Sequence, residues 1–511
     1  MEKIKWPHRK VQAPRLRILI DPVYVQAANL GSSSTYQKYV SLVRELVSRG
    51  HFVYWMLPEK DEYIANAIED HDNVAIIRTN FISDQFIVDG LVSDEYFNLF
   101  NRIAGKYHID VICTSRTGAA LMIKRVLEAP RFHDSGGNYT DKHYGLPMVV
   151  IEEFPQTPKR SHVGGAYWLA QCQGYLAADG TVFISEHNRS EIVEAMLPIY
   201  RQRIIEDWSA STLIAPSGIE VAELDRYYDP EMWKDEKTFK VLSVGRLMGV
   251  SYTEYLTWFD YLFKSGMSNV ELTVSLSGKL GGPIKKKLKK YEVHFNAKNP
   301  QFKLIENNSR LNFLKMLRRY HAGIAPMSHL DCPVGLSEAI YLGVPIIMPV
   351  ADYQQTFFRD YPFVIDRSDK AGLLSHLLWI NENRGEARKM LEPWRDHIRE
   401  TFDAKTNIAK VADYIEEKGR EVLPRFKTSG AILTFLAELK GERYTFADIV
   451  AFLNKSGRMG ISIGDLGIRA TWTYGRSAIH HAMRYSGYVD TCDGPDDVFV
   501  RKDIFERDYA S

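Results

Sequence analysis

The feature that most constrains the fold is an alternation of short apolar runs with stretches of helical periodicity. Residues 17–20 form the first apolar run, and apolar side chains then recur at three- and four-residue spacing between Tyr36 and Val47. Gly50 stands where a glycine ends a helix, and residues 52–55 form the next apolar run. Strands that alternate with helices favour a parallel sheet covered by helices on both faces.

The same alternation begins a second time at FKVLSVGRL, residues 239–247, and continues to about residue 418. The chain of 511 residues therefore predicts an α/β protein with two Rossmann-like, doubly wound domains and a smaller C-terminal domain. The predicted domains are residues 1–216, 217–421 and 422–511. Ligands of such sheets bind beyond the carboxyl ends of the strands, so we expect the site in the cleft between the first two domains.

Composition argues against several classes of protein. Apolar residues make up 45% and charged residues 25% of the chain, and the net charge of +1 gives no global basic character. The four cysteines lie far apart without a C-x-x-C pair, which argues against zinc and against a disulfide framework. The start, MEKIKWPHRK, has no apolar signal region, and no stretch of about 18 residues is wholly apolar. We therefore expect a cytoplasmic protein without a membrane span.

The most informative segment is SHLDCPVGLSEAIYLGVPIIMP, residues 328–349. A polar loop with Asp331 precedes a helical stretch that opens at Val334, carries Glu338 in what reads as its first turn, and stops at Gly343. The first turn of a helix presents unpaired N–H groups and partial positive charge, which suits a diphosphate. A carboxylate there can accept bonds from two hydroxyl groups, although an acid at this position is also explained as a plain partner of the helix dipole.

Five segments occur in an order that resembles the GT-B glycosyltransferases, close to the family-4 retaining enzymes that use nucleotide sugars. The segments are residues 31–53, 212–221, 241–247, 276–288 and 331–347. The resemblance extends over roughly residues 15–418. It implies a GT-B fold, a nucleotide-sugar donor, with a UDP-sugar expected, and no required metal or other cofactor.

The resemblance also implies donor-binding roles for particular residues. In the family, the Glu that matches Glu338 holds the ribose hydroxyls, and an earlier acid acts together with the loop amides on the transferred sugar. Those amides belong here to Gly335, Leu336 and Ser337. The family has its earlier acid where this chain has a leucine, so the next residue, Asp331, is expected to take that role.

The cations that would hold the diphosphate match the family only in part. Arg246 matches the family's arginine after the strand, but Ser251 and Tyr252 stand where the family has a lysine. Lys279, which lies next to a glycine, is the expected second cation, while Arg246 is also explained as an ordinary loop cation. Gly31 is either a turn glycine or a position that lets the backbone approach the cleft closely.

The family often has a His after the strand that matches MVVIEEF, near the reacting carbon. This chain has Glu152 and Glu153 there, and Glu153 is the better match and our candidate catalytic residue. Glu153 could be the base of an inverting enzyme, or it could stabilise positive charge on the anomeric carbon of a retaining one. Both roles stay open, and so does a solvated loop acid.

The last ninety residues predict three helices and a terminal hairpin, the pattern of a winged helix-turn-helix whose third helix enters DNA. Residues 443–484 include six basic and two acidic residues, which favours DNA binding. The hairpin, however, contains four aspartates, which would repel phosphate. A protein-binding or dimerising winged helix is therefore the alternative. The candidate DNA-binding residues of the third helix are Arg476, Ser477, His480, His481 and Arg484.

The GT-B resemblance and the predicted winged helix together predict a glycosyltransferase that modifies a hydroxymethylated pyrimidine base in DNA. Bacteriophage enzymes that carry out this reaction have GT-B folds, so the resemblance extends to them. DNA would then be the partner, and the cytoplasm of a phage-infected bacterial cell the place of action. Two alternatives are a transferase acting on a glycan, lipid or small molecule, and a DNA-binding regulator that senses a sugar nucleotide. The oligomeric state stays open.

Overall fold

The structure is a computed structural model of the 511-residue chain. It describes residues 16–23, 34–58, 71–79, 98–103, 107, 109–128, 131–132, 139–140, 147–152, 157, 165–229, 238–244, 258–262, 264–265, 267, 270–276, 286, 289–290, 292, 302–306, 310–325, 333–422, 441, 443–445, 448, 488–491 and 498–501.

The first half of the chain forms a seven-stranded sheet. Its strands are β1 (Arg17–Asp21), β2 (Phe52–Pro58), β3 (Val74–Thr79), β4 (Val111–Thr114), β7 (Met148–Glu152), β8 (Gly180–Phe183) and β9 (Thr212–Ile214). Their order is β3-β2-β1-β4-β7-β8-β9, and β1 to β3 pair in parallel, as do β7 to β9. A small antiparallel pair, β5 (Arg131–Phe132) and β6 (Tyr139–Thr140), lies between β4 and β7 in the chain.

The second sheet has six strands, all paired in parallel. Its strands are β10 (Phe239–Ser243), β11 (Val270–Leu276), β12 (Phe302–Glu306), β13 (Ala322–Ile324), β14 (Ile346–Pro349) and β15 (Val364–Ile365). The order β12-β11-β10-β13-β14-β15 is that of a Rossmann sheet. The prediction of two doubly wound parallel sheets is therefore confirmed.

The connecting helices follow from the same periodicity. The helices are α1 (Ser34–Ser48), α2 (Ala120–Glu128), α3 (Gly165–Ala177), α4 (Glu186–Met196), α5 (Gln202–Ala210), α6 (Val221–Leu224), α7 (Arg310–Leu317), α8 (Val334–Tyr341), α9 (Asp352–Phe357), α10 (Lys370–Glu382), α11 (Arg384–Lys389), α12 (Glu392–Phe402) and α13 (Ala404–Val422). A short 3-10 helix (Thr117–Ala119) precedes α2. In α1 the predicted apolar positions are buried, and Gly50 and Gly343 adopt φ values of 89° and 85° where two helices stop, as the sequence predicts.

The chain passes from the first sheet to the second between β9 and β10, and it returns beside that connection. Ile219 N donates to Phe402 O at 2.7 Å, and Ala404 N donates to Ile219 O at 2.9 Å. A methyl group at Gly218 would lie 2.2 Å from the Ala404 Cα, so only glycine fits there. Beyond it, Thr181 N of β8 donates to the Tyr414 hydroxyl of α13 at 3.2 Å. Backbone hydrogen bonds therefore hold the segment around Ile219 against the segment from Phe402 to Ala404.

The residues divide into two compact units. One comprises residues 1–92, 113–121 and 149–414, and the other comprises residues 93–112, 122–148 and 415–511. The predicted domain boundaries at residues 216 and 421 stay predictions.

The end of the chain contains a three-stranded antiparallel sheet. Its strands, in the order β16-β18-β17, are β16 (Arg443–Thr445), β17 (Tyr488–Thr491) and β18 (Val498–Arg501). The antiparallel pair β17–β18 confirms the predicted hairpin. The three helices of the predicted winged helix lie largely outside the described residues, so that assignment stays a prediction.

Candidate functional site

The candidate site lies at the carboxyl edge of the second sheet, where the strand order changes direction. β10 and β13 are neighbours there, with Ser243 opposite Ile324, and β11 and β14 flank them on either side. In open α/β sheets such a switch point leaves a crevice in which ligands bind. Ser243 is buried, and its hydroxyl has no hydrogen-bond partner among the described residues. This edge, with the buried Ser243 hydroxyl, is therefore where we look for a ligand site.

The helix α8, which follows β13, begins without a side-chain cap. Its N-cap residue, Pro333, makes no side-chain hydrogen bond, and the Ser337 hydroxyl donates to Pro333 O at 3.0 Å. A methyl group at Gly335 would meet no described atom outside its own helix within 4 Å. Among the described residues, the first turn therefore has no side-chain cap and no neighbour close to Gly335, and such a helix start suits an anion such as a diphosphate.

Glu338 lies just beyond the first turn of α8. The helix starts at Val334, so its first turn contains no acidic residue, and the prediction of a first-turn carboxylate is wrong. The helix begins at Val334, as the sequence predicts, but Glu338 is its fifth residue and so falls one position past the first four residues. Glu338 is 2% exposed, and the helix dipole weakens beyond the first turn. A surface partner of the helix dipole therefore does not describe this buried carboxylate, and its role as an acceptor of ribose hydroxyls stays a prediction.

The far end of α8 is held by a polar group of side chains that we call the Asp225 cluster: Asp225, Tyr341, Arg395 and Arg399. The Tyr341 hydroxyl donates to Asp225 Oδ1 at 2.7 Å, and Arg399 Nη2 donates to the Tyr341 oxygen at 2.6 Å. Arg395 Nη2 donates to Asp225 Oδ1 at 2.7 Å, and its guanidinium lies 3.6 Å from the centre of the Tyr228 ring. Glu338 lies three residues before Tyr341 in the same helix. The Asp225 cluster therefore holds in place the helix that carries this candidate donor-binding residue.

The charges of the Asp225 cluster shift the pKa of its carboxyl group. Burial raises the pKa of Asp225, but the Tyr341 hydroxyl and the guanidinium groups of Arg399 and Arg395 together outweigh it, so the pKa lies below its ordinary value. Sequence reasoning missed this cluster. The available signal was the spacing of Arg395 and Arg399, which puts both on one face of a helix.

At the carboxyl edge of the first sheet, a buried ion pair joins β1 to the segment after β4. Arg116 Nε donates to Asp21 Oδ1 at 3.0 Å, and Thr114 Oγ1 donates to Asp21 Oδ2 at 2.9 Å. The two charged side chains are 5% and 0% exposed. Val23 N donates to Ser115 Oγ at 2.7 Å. Breaking a buried pair of this kind is costly, so it fixes the carboxyl end of β1 against the segment after β4.

A second buried carboxylate, Glu152, is the last residue of β7. Thr117 Oγ1 donates to Glu152 Oε2 at 2.7 Å, and the Tyr175 hydroxyl of α3 donates to the same oxygen. Burial, together with the Glu152 charge, raises the pKa of Tyr175 well above its ordinary value, so this hydroxyl stays protonated and able to donate. We call these three residues the Glu152 triad, which sequence reasoning missed because its members come from three separate elements.

The structure thus describes four of the predicted donor-binding residues, Gly335, Leu336, Ser337 and Glu338, and they lie together on α8. Leu336 and Ser337 are buried in the domain. The remaining predicted site residues lie outside the described residues: Gly31, Glu153, Arg246, Lys279, Asp331, Arg476, Ser477, His480, His481 and Arg484.

Within the part of the chain that the structure describes, no group of three or more His, Cys, Asp or Glu side chains could hold a metal ion. No described helix is both long enough and apolar enough to cross a bilayer.

The chain shares its fold with solved structures of sugar-transferring enzymes. Sucrose-phosphate synthase from Thermosynechococcus elongatus is 13% identical with a TM-score of 0.59, covering 79% of this chain and 99% of that chain. Anabaena Alr3699/HepE in complex with UDP and glucose is 12% identical with a TM-score of 0.54, covering 79% and 100%. A glycosyltransferase from Rickettsia africae ESF-5 is 10% identical with a TM-score of 0.54, covering 80% and 99%.

These likenesses and the two parallel sheets show that the chain has the GT-B fold, so the predicted pair of Rossmann-like domains is confirmed, while the C-terminal winged helix stays a prediction. No protein-family model matches the sequence, and no curated protein matches it.

Proposed function

We propose that this protein is a glycosyltransferase that moves a sugar from a nucleotide-sugar donor, a UDP-sugar, to an acceptor hydroxyl. The observation that carries the proposal is the start of α8, where no described side chain caps the first turn or lies close to Gly335, and where the buried Glu338 follows. The shared fold with Anabaena HepE, whose structure contains UDP and glucose, supports it.

The proposal assigns a partner to each part of the donor. The amide groups at the start of α8 bind the diphosphate, to which Arg246 and Lys279 add positive charge. Glu338 accepts hydrogen bonds from the ribose hydroxyls, and Asp331 binds the hydroxyls of the transferred sugar. As the bond to the sugar breaks, negative charge develops on the leaving diphosphate, and these groups stabilise it there.

The acceptor that we propose is a hydroxymethylated pyrimidine base in DNA, bound with the help of the C-terminal residues 422–511. The antiparallel hairpin β17–β18 supports a winged helix in this region. A base must leave the stack to react, at a cost of a few kcal/mol, and a tethered DNA-binding module offsets that cost by raising the local substrate concentration.

Incubation of the protein with labelled UDP- and GDP-sugars tests the donor half of the proposal. We expect one UDP-sugar to be hydrolysed slowly, and UDP to bind in calorimetry. Glu338→Gln should weaken UDP binding by roughly 1–3 kcal/mol, because the ribose hydroxyls lose a charged acceptor. A wild-type protein that binds UDP but consumes no donor would instead be a sensor, and one that does neither would contradict the proposal altogether.

A further inference from the structure

The Glu152 triad joins neighbouring strands at one edge of the first sheet. β4 and β7 are adjacent in the strand order, Thr117 follows the end of β4, and Glu152 is the last residue of β7. The three side chains are buried, with exposed fractions of 4% for Thr117, 3% for Glu152 and 0% for Tyr175. Both hydroxyl groups donate to one oxygen, Glu152 Oε2. The carboxyl ends of two strands and the helix α3 therefore converge on a single carboxylate.

Close packing holds two of these elements, α3 and the 3-10 helix, against each other. A methyl group at Gly174 of α3 would lie 2.0 Å from Thr117 O, and one at Gly118 would lie 2.9 Å from the Tyr167 ring. Contacts under 3 Å are not found for real methyl groups, so α3 lies directly against the 3-10 helix that carries Thr117. Thr117 and Tyr175 therefore reach Glu152 from a rigid platform.

We infer that Glu152 is a positioning residue, which fixes the end of β7 from which the chain continues to Glu153. This inference rests on the proposed glycosyltransferase function. Glu152 is joined by a peptide bond to Glu153, the candidate for the reacting centre. Because Glu152 Oε2 already accepts two buried hydroxyl bonds, Glu152 acts through the backbone and not as the base that takes the acceptor proton.

A positioning role and a charge role predict different behaviour for the isosteric amide. Glutamine keeps an oxygen that accepts both hydroxyl bonds, but it loses the negative charge. Leucine keeps the volume and loses the acceptor, leaving the Thr117 and Tyr175 hydroxyls buried without it. If Glu152 acts by positioning, Glu152→Gln keeps the catalytic rate that Glu152→Leu loses. If its negative charge is needed, both variants lose that rate.

The experiment compares full-length Glu152→Leu, Glu152→Gln, Tyr175→Phe and Thr117→Val, measuring kcat for release of sugar from the labelled donor that the wild type consumes. UDP affinity is measured in parallel. We expect Glu152→Leu and Tyr175→Phe to lower kcat about tenfold or more with unchanged UDP affinity. Thr117→Val should follow them, and Glu152→Gln should recover kcat to within about threefold of the wild type. If Glu152→Leu does not fold, the two hydroxyl variants decide.

Thr181→Val is the matched control, because Thr181 is also a buried threonine of the first sheet, whose hydroxyl accepts from Trp208 Nε1 at 3.3 Å. Thr181→Val should lower the melting temperature by about as much as Thr117→Val does, but its kcat should stay at the wild-type value. Three results overturn the inference: wild-type kcat in Tyr175→Phe and Thr117→Val, an equal loss in Thr181→Val, or an inactive but folded Glu152→Gln. A wild type that consumes no donor overturns the proposed function, and the inference with it.

Discussion

Two glycines in helices, Gly335 and Gly385, separate a binding role from a folding role at the scale of one residue. A methyl group at either position would meet no described atom outside its own helix within 4 Å. Alanine favours a helix over glycine by up to about 1 kcal/mol, so neither Gly335→Ala nor Gly385→Ala should lower the melting temperature. Gly335→Ala alone should weaken UDP binding, by about tenfold, because its methyl group enters the space of the diphosphate. Calorimetry and thermal denaturation measure the two effects.

Gly385, in the short helix α11, is the control, and its alanine variant should bind UDP as the wild type does. Equal affinity in both variants would contradict a diphosphate at the start of α8, and a lower melting temperature for Gly335→Ala alone would show that the space there is needed for folding.

At the scale of an element, the Asp225 cluster should give the anchoring of α8 a pH dependence. The pKa of Asp225 is lower in the folded protein than in the unfolded chain, so the ionised carboxylate stabilises the fold above the unfolded pKa of about 3.9. That contribution is lost as the pH falls through the folded pKa. Asp225→Asn should therefore lower the melting temperature at pH 7, and the difference from the wild type should shrink towards pH 3.

Asp207→Asn is the comparison for this measurement. Asp207 is 77% exposed and lies 4.0 Å from Arg203, an ion pair of the kind that contributes little. Its variant should melt with the wild type at both pH values. A pH-independent deficit in Asp225→Asn would mean that shape, and not charge, holds the end of α8.

At the scale of the whole molecule, the proposal requires that one part of the chain binds DNA while another holds the donor. In the full-length protein, the double variant Arg476→Ala and Arg484→Ala should transfer label to DNA about tenfold more slowly, with unchanged donor hydrolysis. The slope of the logarithm of DNA affinity against the logarithm of salt concentration should become shallower by about two, because two phosphate contacts are lost. The assay uses DNA with plain, hydroxymethylated and already glycosylated bases.

Lys289→Ala with Lys290→Ala removes the same charge from an exposed part of the chain and should leave DNA transfer unchanged. If both double variants transfer label to DNA at the wild-type rate, the C-terminal domain does not bind the acceptor. Label that appears on no DNA, although the donor is consumed, would assign the acceptor to a glycan, lipid or small molecule.

The sequence by itself determined the features that depend on near neighbours in the chain. The alternation that begins at residue 17 and again at residue 239 predicts both parallel sheets, because the period of apolar side chains differs between strands and helices. Gly50 and Gly343 mark helix ends because their positive φ values suit glycine. The hairpin β17–β18 follows from turn signals between two apolar runs, and the placement of Gly335 to Glu338 on one helix follows from their spacing.

Only the tertiary structure decided which distant side chains meet. Asp21 and Arg116 are 95 residues apart, and Asp225 and Arg399 are 174 apart, so no local pattern connects them. The Glu152 triad forms because β4 and β7 are adjacent in the sheet, an order that periodicity does not specify. The burial of Glu338 likewise depends on what packs against α8. These partners are decided by sheet order and helix packing, because the free energy of burying a polar group depends on all of its neighbours at once.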